Sequence, residues 1–193
     1  MNPAARFIFP AMWIAWALYW WASSLGVKAV VRRESIASRA LHIVPLMLAV
    51  TLMMLPDERF AALRLGFLTG GARASWAFWL GAALTLAGLL FTVWARVHLA
   101  GNWSGTVTLK AGHELVTTGP YRLVRHPIYT GLLLAFLASA LALGEWRGVL
   151  AFAIVAAALW RKLRLEERWM REAFGETYER YCERVPALVP FTR

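Results

Sequence analysis

What most constrains this chain is one feature repeated along it: apolar runs of nearly the length a bilayer demands. Trp76–Leu99, "WAFWLGAALTLAGLLFTVWARVHL", is long enough to cross a hydrocarbon core of ~30 Å at ~1.5 Å per helical residue, with a turn to spare. Residues 7–27 form a second run, and residues 41–55 a shorter one interrupted by Pro45. The stretch 130–160 is broken only by "GEWR", Gly144–Arg147, and reads as two helices, 130–143 and 147–160, joined by a tight turn. One such run could be the core helix of a soluble protein. Five of them in 193 residues, with 60% hydrophobic residues, 11 Trp and a mean hydropathy of +0.52, leave too little polar chain to cover them. The expected fold is an all-α membrane protein of about five transmembrane helices, forming a single domain over residues 1–193.

The basic residues set an orientation. Lys28, Arg32, Arg33 and Arg39 stand against Glu34 between the first two runs, and Arg96, Lys110, Arg122 and Arg125 against Glu114 between the third and fourth. By the excess of Lys and Arg in short cytoplasmic loops, both segments face the cytoplasm, which puts the N-terminus outside and the C-terminal tail inside. In a bacterium the membrane would be the inner one. The 7–27 run is long and Lys28, Arg32 and Arg33 come after it, so it is expected to stay as a span and not to be cleaved as a leader. The tail, residues 161–193, holds eight basic and six acidic residues. The net charge of +10 is thus spread over membrane-facing surfaces, which suits anionic lipid headgroups and not nucleic acid. Trp20, Trp21, Trp76 and Trp79, near the ends of runs, are expected at the interface.

Two polar passages fall on the cytoplasmic side, 100–129 and 161–193, and these are the candidate catalytic parts. Around Thr106 to Leu109 alternation and glycines predict a short hairpin. In "GPYRLVRHPIYTG", Gly119–Gly131, Pro127 bars helical geometry at His126 and suits the first turn of the next helix. That helix start offers amide donors to an anion; it is equally readable as a capped loop with arginines at headgroup level. In "RKLRLEERWM" the adjacent Glu166 and Glu167 point about 100° apart on a helix, so one must turn toward the bundle, where it needs a cationic partner.

Other chemistries lack their residues. The four histidines, His42, His98, His113 and His126, form no His-x-x-His or Glu-x-x-His pattern, so no metal site is expected. There is no phosphate-binding loop and no Gly-x-Ser-x-Gly elbow. Cys182 stands alone and reads as incidental.

"HELVTTGPYRLVRHPIYTG", followed about thirty-five residues later by "EERWMREAFGETYERYCERVPALVPF", resembles the isoprenylcysteine carboxyl methyltransferase family, integral-membrane enzymes similar to phospholipid methyltransferases. The likeness covers roughly the C-terminal half, from about Arg96 onward. It implies S-adenosyl-L-methionine as methyl donor, bound by His113, Glu114, Leu115, Val116, Tyr121, His126, Pro127, Ile128, Tyr129 and Glu166. It also implies that a basic residue holds the acceptor carboxylate, with Arg161, Lys162 and Arg164 all placed for it. The acceptor would be a lipophilic or lipidated molecule entering sideways among membrane lipids; no oligomeric state is implied.

A carboxylate acceptor is already ionised at neutral pH and needs no base. An ammonium must first lose a proton, and His126 or Glu167 would then be the base. The alternatives to carboxyl methylation are therefore phospholipid amine methylation, a non-catalytic membrane scaffold, and an NADPH-dependent lipid reductase.

Overall fold

The computed structural model describes residues 7–25, 30–55, 65, 71–103, 108–110 and 115–192. Six α-helices account for most of them: α1 (Ile8–Ser23), α2 (Ile36–Met54), α3 (Gly71–Leu99), α4 (Pro127–Leu143), α5 (Trp146–Phe174) and α6 (Glu176–Arg184). A helix stands at each of the five expected runs, but among the described residues two are long and apolar enough to cross a membrane, Ile36–Met54 and Ser75–Leu99. Pro127–Leu143 is apolar and shorter. Their outward faces carry bare Leu, Val, Met and Trp side chains, including Leu41, Val44, Met47, Trp79, Leu90 and Leu137. Water would not leave such faces uncovered, so the protein is an integral membrane protein.

The second helix departs from expectation. It starts at Ile36 and not near Leu41, because the Ser35 side chain accepts the Ser38 N–H at 3.2 Å and caps it. It also runs unbroken through Pro45, a residue that membrane helices tolerate.

Helices α3 and α4 pack through small residues. A Cβ on Gly88 would lie 2.6 Å from the Gly131 carbonyl, and one on Gly131 would lie 2.5 Å from the Gly88 carbonyl, so the two backbones nearly touch. Within this seam the Thr85 and Ser139 hydroxyls meet at 3.1 Å, and α1 is tied on by Trp13 Nε1 to Ser139 (3.3 Å) and Trp16 Nε1 to Thr92 (2.7 Å). Buried hydroxyls are satisfied here with no water to help. Of the interfacial tryptophans, Trp21, Trp76 and Trp79 are exposed, whereas Trp20 stacks on Trp16 at 4.7 Å.

The "GEWR" turn is as expected a helix-to-helix corner: Gly144 adopts a left-handed φ of 65° and ends α4. Its charges are not a solvated pair, however. Arg147 is buried, bonds Glu145 at 2.6 Å, and donates to the Leu52 and Leu55 carbonyls at the end of α2. The arginine thereby satisfies carbonyls that the helix terminus leaves open.

The expected local hairpin is corrected by the strand pairing. Thr108–Lys110 (β2) is a strand, but its partner is Val30–Arg33 (β1), antiparallel with Arg33 opposite Thr108. The ribbon ties the α1–α2 connection to the one following α3. Near it, Arg96 lies buried at the end of α3, donates to the carbonyls of Ser23 and Ala100, and covers the Trp103 ring at 4.5 Å.

Candidate functional site

Pro127 opens α4, and His126 at its N-cap has non-helical backbone angles (φ -123°, ψ 62°), as the sequence predicts. The preceding residues do not present their amides to an anion. The Arg125 N–H donates to Pro186 O at 2.8 Å and the His126 N–H to Ala187 O at 3.0 Å. Thr130 Oγ1 donates to Leu188 O at 2.6 Å, so the chain after α6 lies along the start of α4 and closes it. Of the two readings of this turn, the capped one describes these amides.

Arg125 completes the closure. Its Nε and Nη2 hold Glu167 Oε1 at 2.9 and 2.5 Å, while Nη1 donates to the Val185 carbonyl at 2.6 Å and to Cys182 O at 3.3 Å. Tyr181 donates to the Tyr121 carbonyl at 2.6 Å, fastening α6 over the 3₁₀ turn Gly119–Arg122. Three segments distant in sequence meet on one guanidinium, a use for which the planar fork of arginine is suited.

Glu166 and Glu167 both turn inward, to different surroundings. Glu167 is 8% exposed and meets Arg125, Arg171 at 3.5 Å and His126 Nε2 at 3.3 Å. Burial alone would raise its carboxyl pKa, but the His126 and Arg125 contacts outweigh it and hold the value at about 2. Glu166 is 26% exposed and accepts the Tyr129 hydroxyl at 2.6 Å. His126 Nδ1 stands 3.7 Å from it and Lys162 Nζ 3.8 Å. The His126 ring stacks on Tyr129 at 5.4 Å between centroids, and Lys162 sits over the same Tyr129 ring at 5.4 Å. The result is a half-open carboxylate framed by two aromatic faces and a lysine, where the apolar part of α5 gives way to its charged part.

Of the other sequence-designated residues, Tyr121 lies within the field of Glu166. Tyr121 is buried, and burial with the charge of Glu166 pushes its hydroxyl pKa up. Ile128 packs on the apolar core and Pro127 is buried. Leu115 and Val116 lead into the 3₁₀ turn, whereas His113 and Glu114 lie outside the described residues.

The three candidate cations separate. Lys162 faces Glu166; Arg161 donates to the Ser38 carbonyl (3.1 Å) and hydroxyl (2.9 Å) at the start of α2; Arg164 is exposed on an outer cleft with Arg168 and Arg171. Among the described residues no group of His, Cys, Asp and Glu could hold a metal ion. Burial raises the Cys182 thiol pKa, which makes it a poor nucleophile.

The sequence reading passed over Arg125, Glu34, Ser38 and His42 as site residues. Glu34 accepts the Ser38 hydroxyl at 2.8 Å, and His42 Nε2 stands 3.3 Å from Glu34. Ser38 and His42, four residues apart, share one face of α2, and Glu34 stands just before its cap; that polar group at the head of an apolar run was the available signal.

A helical membrane bundle closed by its own tail, with the Glu166 carboxylate framed by His126, Tyr129 and Lys162, defines the class of this protein. A family model for phospholipid methyltransferases matches residues 76–177, more than half of the chain. The chain belongs to the phospholipid methyltransferase family.

Among its relatives is protein-S-isoprenylcysteine O-methyltransferase B of Arabidopsis thaliana, 37% identical over 83 residues, 41% of each chain. Another is methanethiol S-methyltransferase 2 of Bradyrhizobium diazoefficiens, 41% identical over 81 residues, 42% of this chain and 30% of that one. The fold is similar to that of the eukaryotic intramembrane Ras methyltransferase, isoprenylcysteine carboxyl methyltransferase, with a TM-score of 0.58 at 21% identity over 83% of this chain and 55% of that one. The matches to these relatives thus span between about a third and somewhat over half of their lengths. The resemblance read from the two C-terminal motifs holds.

Proposed function

We propose that this chain, as a single domain, transfers a methyl group from S-adenosyl-L-methionine to the carboxylate of a lipophilic, isoprenylcysteine-like acceptor at the cytoplasmic membrane face. The observation that carries the reading is the joining of Glu166, Tyr129, His126 and Lys162 at the boundary between apolar and charged helix. The donor is a sulfonium whose S–CH3 bond breaks as the acceptor oxygen forms O–CH3, the electron pair staying on sulfur.

The residues fit such a cation: Glu166 is the accessible carboxylate of the cluster, and the Tyr129 face suits positive charge, as Lys162 above it illustrates. The "HELV" segment, residues 113–116, and Tyr121 would complete the donor side. Lys162, and neither Arg161 nor Arg164, is the cation for the acceptor carboxylate, since the other two are committed to Ser38 and to the outer cleft. Positioning and stripping of water supply the rate, with no proton to move. An amine acceptor is less well served, because Glu167, held at about 2 by its partners, is a weak base at neutral pH.

The test uses the full chain in lipid nanodiscs with methyl-labelled donor and S-farnesylcysteine. Base-labile methyl ester is expected; label confined to phospholipid headgroups, or none transferred, overturns the reading. Glu166→Gln should weaken binding of S-adenosylhomocysteine by about 10- to 100-fold in calorimetry, the range for losing a charge-assisted contact, with melting temperature nearly unchanged.

A further inference from the structure

His42 stands in the first half of a membrane-crossing helix and is 5% exposed, a place where an ionisable side chain is costly. Its ring is 3.3 Å from Glu34 at Nε2, yet in an alignment that closes no hydrogen bond, and among the described residues neither ring nitrogen has a hydrogen-bond partner. A histidine kept only for packing would be expected to satisfy at least one of them. Glu34 is itself fixed by Ser38, and Ser38 by Arg161 of α5, so the dyad is anchored from two sides. One turn below that anchor, ~6 Å deeper along α2, His42 lies within the field of Lys162 and Glu166 across the α2–α5 interface. The charged groups acting on it are Glu34 at the head of its own helix and Arg161, Lys162 and Glu166 from α5.

We infer that His42, oriented by Glu34, is the second ligand of the acceptor carboxylate: Lys162 holds it from α5, and the imidazole donates to it from α2. This rests on the methyl-transfer reading above and deepens it by placing the acceptor head between two helices, with its apolar chain directed into the bilayer side of α2. An imidazolium can donate from one nitrogen to the acceptor while the other faces Glu34, and an incoming carboxylate favours that protonated form. Acceptor binding is therefore linked to uptake of a proton, and it tightens as pH falls.

The experiment measures KM and kcat for S-farnesylcysteine between pH 6 and 8.5, with wild type, His42→Ala and His42→Gln in nanodiscs, alongside calorimetric binding of S-adenosylhomocysteine. His42→Ala is expected to raise the acceptor KM by about tenfold or more at pH 6, the loss of a hydrogen bond to a charged group, with kcat and donor binding nearly unchanged. His42→Gln keeps a donor and should recover part of the affinity while losing its pH dependence. An unchanged KM and pH profile in both variants, with donor bound normally, overturns the inference and leaves methyl transfer standing. A fall in kcat alone overturns it too, because it makes His42 a base. Failure of the wild type to methylate S-farnesylcysteine at all removes the carboxylate reading and this inference together.

Discussion

Two ends of one polar network differ sharply although they are built from neighbouring residues. At the tail end, Glu167 is closed in by Arg125, Arg171 and His126, and the Arg125 and His126 contacts bind one segment of chain to another. At the α2 end, Glu166, Lys162 and His42 are spaced more loosely, with Lys162 3.8 Å from Glu166 and, among the described residues, both His42 nitrogens without hydrogen bonds. The first arrangement fastens the fold, and the second is the one the proposed ligands would use. A single helical step, from 166 to 167, crosses from one to the other.

The largest break in that contrast is expected from Arg125→Ala. It leaves the 8%-exposed Glu167 without its main cation and frees the carbonyls of Cys182 and Val185, which undocks α6. Removing one partner of a buried pair costs about 3–5 kcal/mol, so the melting temperature in nanodiscs should fall steeply and donor binding should go with it. Arg125→Lys keeps the charge but not the fork and should fall between. If Arg125→Ala melts like wild type, the tail is not what closes the site.

A smaller effect, confined to acid, sharpens the same comparison. Glu167 sits at about 2, below the ordinary 4.5, because His126 and Arg125 favour its charged form over the penalty of burial. A depressed carboxylate contributes stability that is complete above its unfolded value and is lost as pH falls through the folded one. Tryptophan fluorescence followed from pH 5 down to pH 2 should therefore show progressive loss of the folded state. Glu167→Gln, less stable at neutral pH, should show a flatter acid limb; parallel limbs would remove Glu167 from the account.

How far the sequence foretold these two ends follows from how local each signal is. Pro127 starting α4, Gly144 ending it and an inward turn of one of Glu166 and Glu167 are short-range consequences of backbone geometry and helical spacing, and all were readable, whereas the inward turn of both was not. The start of α2 at Ile36 was readable too, since Ser35 is a capping residue, but the apolar count outweighed it. The pairing of Thr108–Lys110 with Val30–Arg33, and the carbonyls of Pro186 and Ala187 lying along Arg125 and His126, join segments that no local pattern connects. His42 escaped for another reason: a lone histidine in an apolar run is usually a core residue, and only the approach of Glu34 and α5 makes it otherwise.

The smallest expected effect is also the most discriminating. Arg161, Lys162 and Arg164 fall within one turn of helix, and spacing alone ranks them equally for an anionic acceptor. Their surroundings do not: Lys162 is buried against Glu166, Arg161 is spent on Ser38, and Arg164 is exposed on the face that Arg168 and Arg171 share. An exposed charge on a cleft of mixed sign contributes little, so Arg164→Ala should change stability by no more than about 0.5 kcal/mol. It should also leave the acceptor KM unchanged, while Lys162→Ala raises it. Because both substitutions remove one positive charge from the same helix turn, a general attraction of the anionic acceptor to a basic surface would move the two KM values alike. Only contact within the α2–α5 interface separates them, and a loss of acceptor affinity in Arg164→Ala equal to that in Lys162→Ala would put the acceptor on the outer cleft instead.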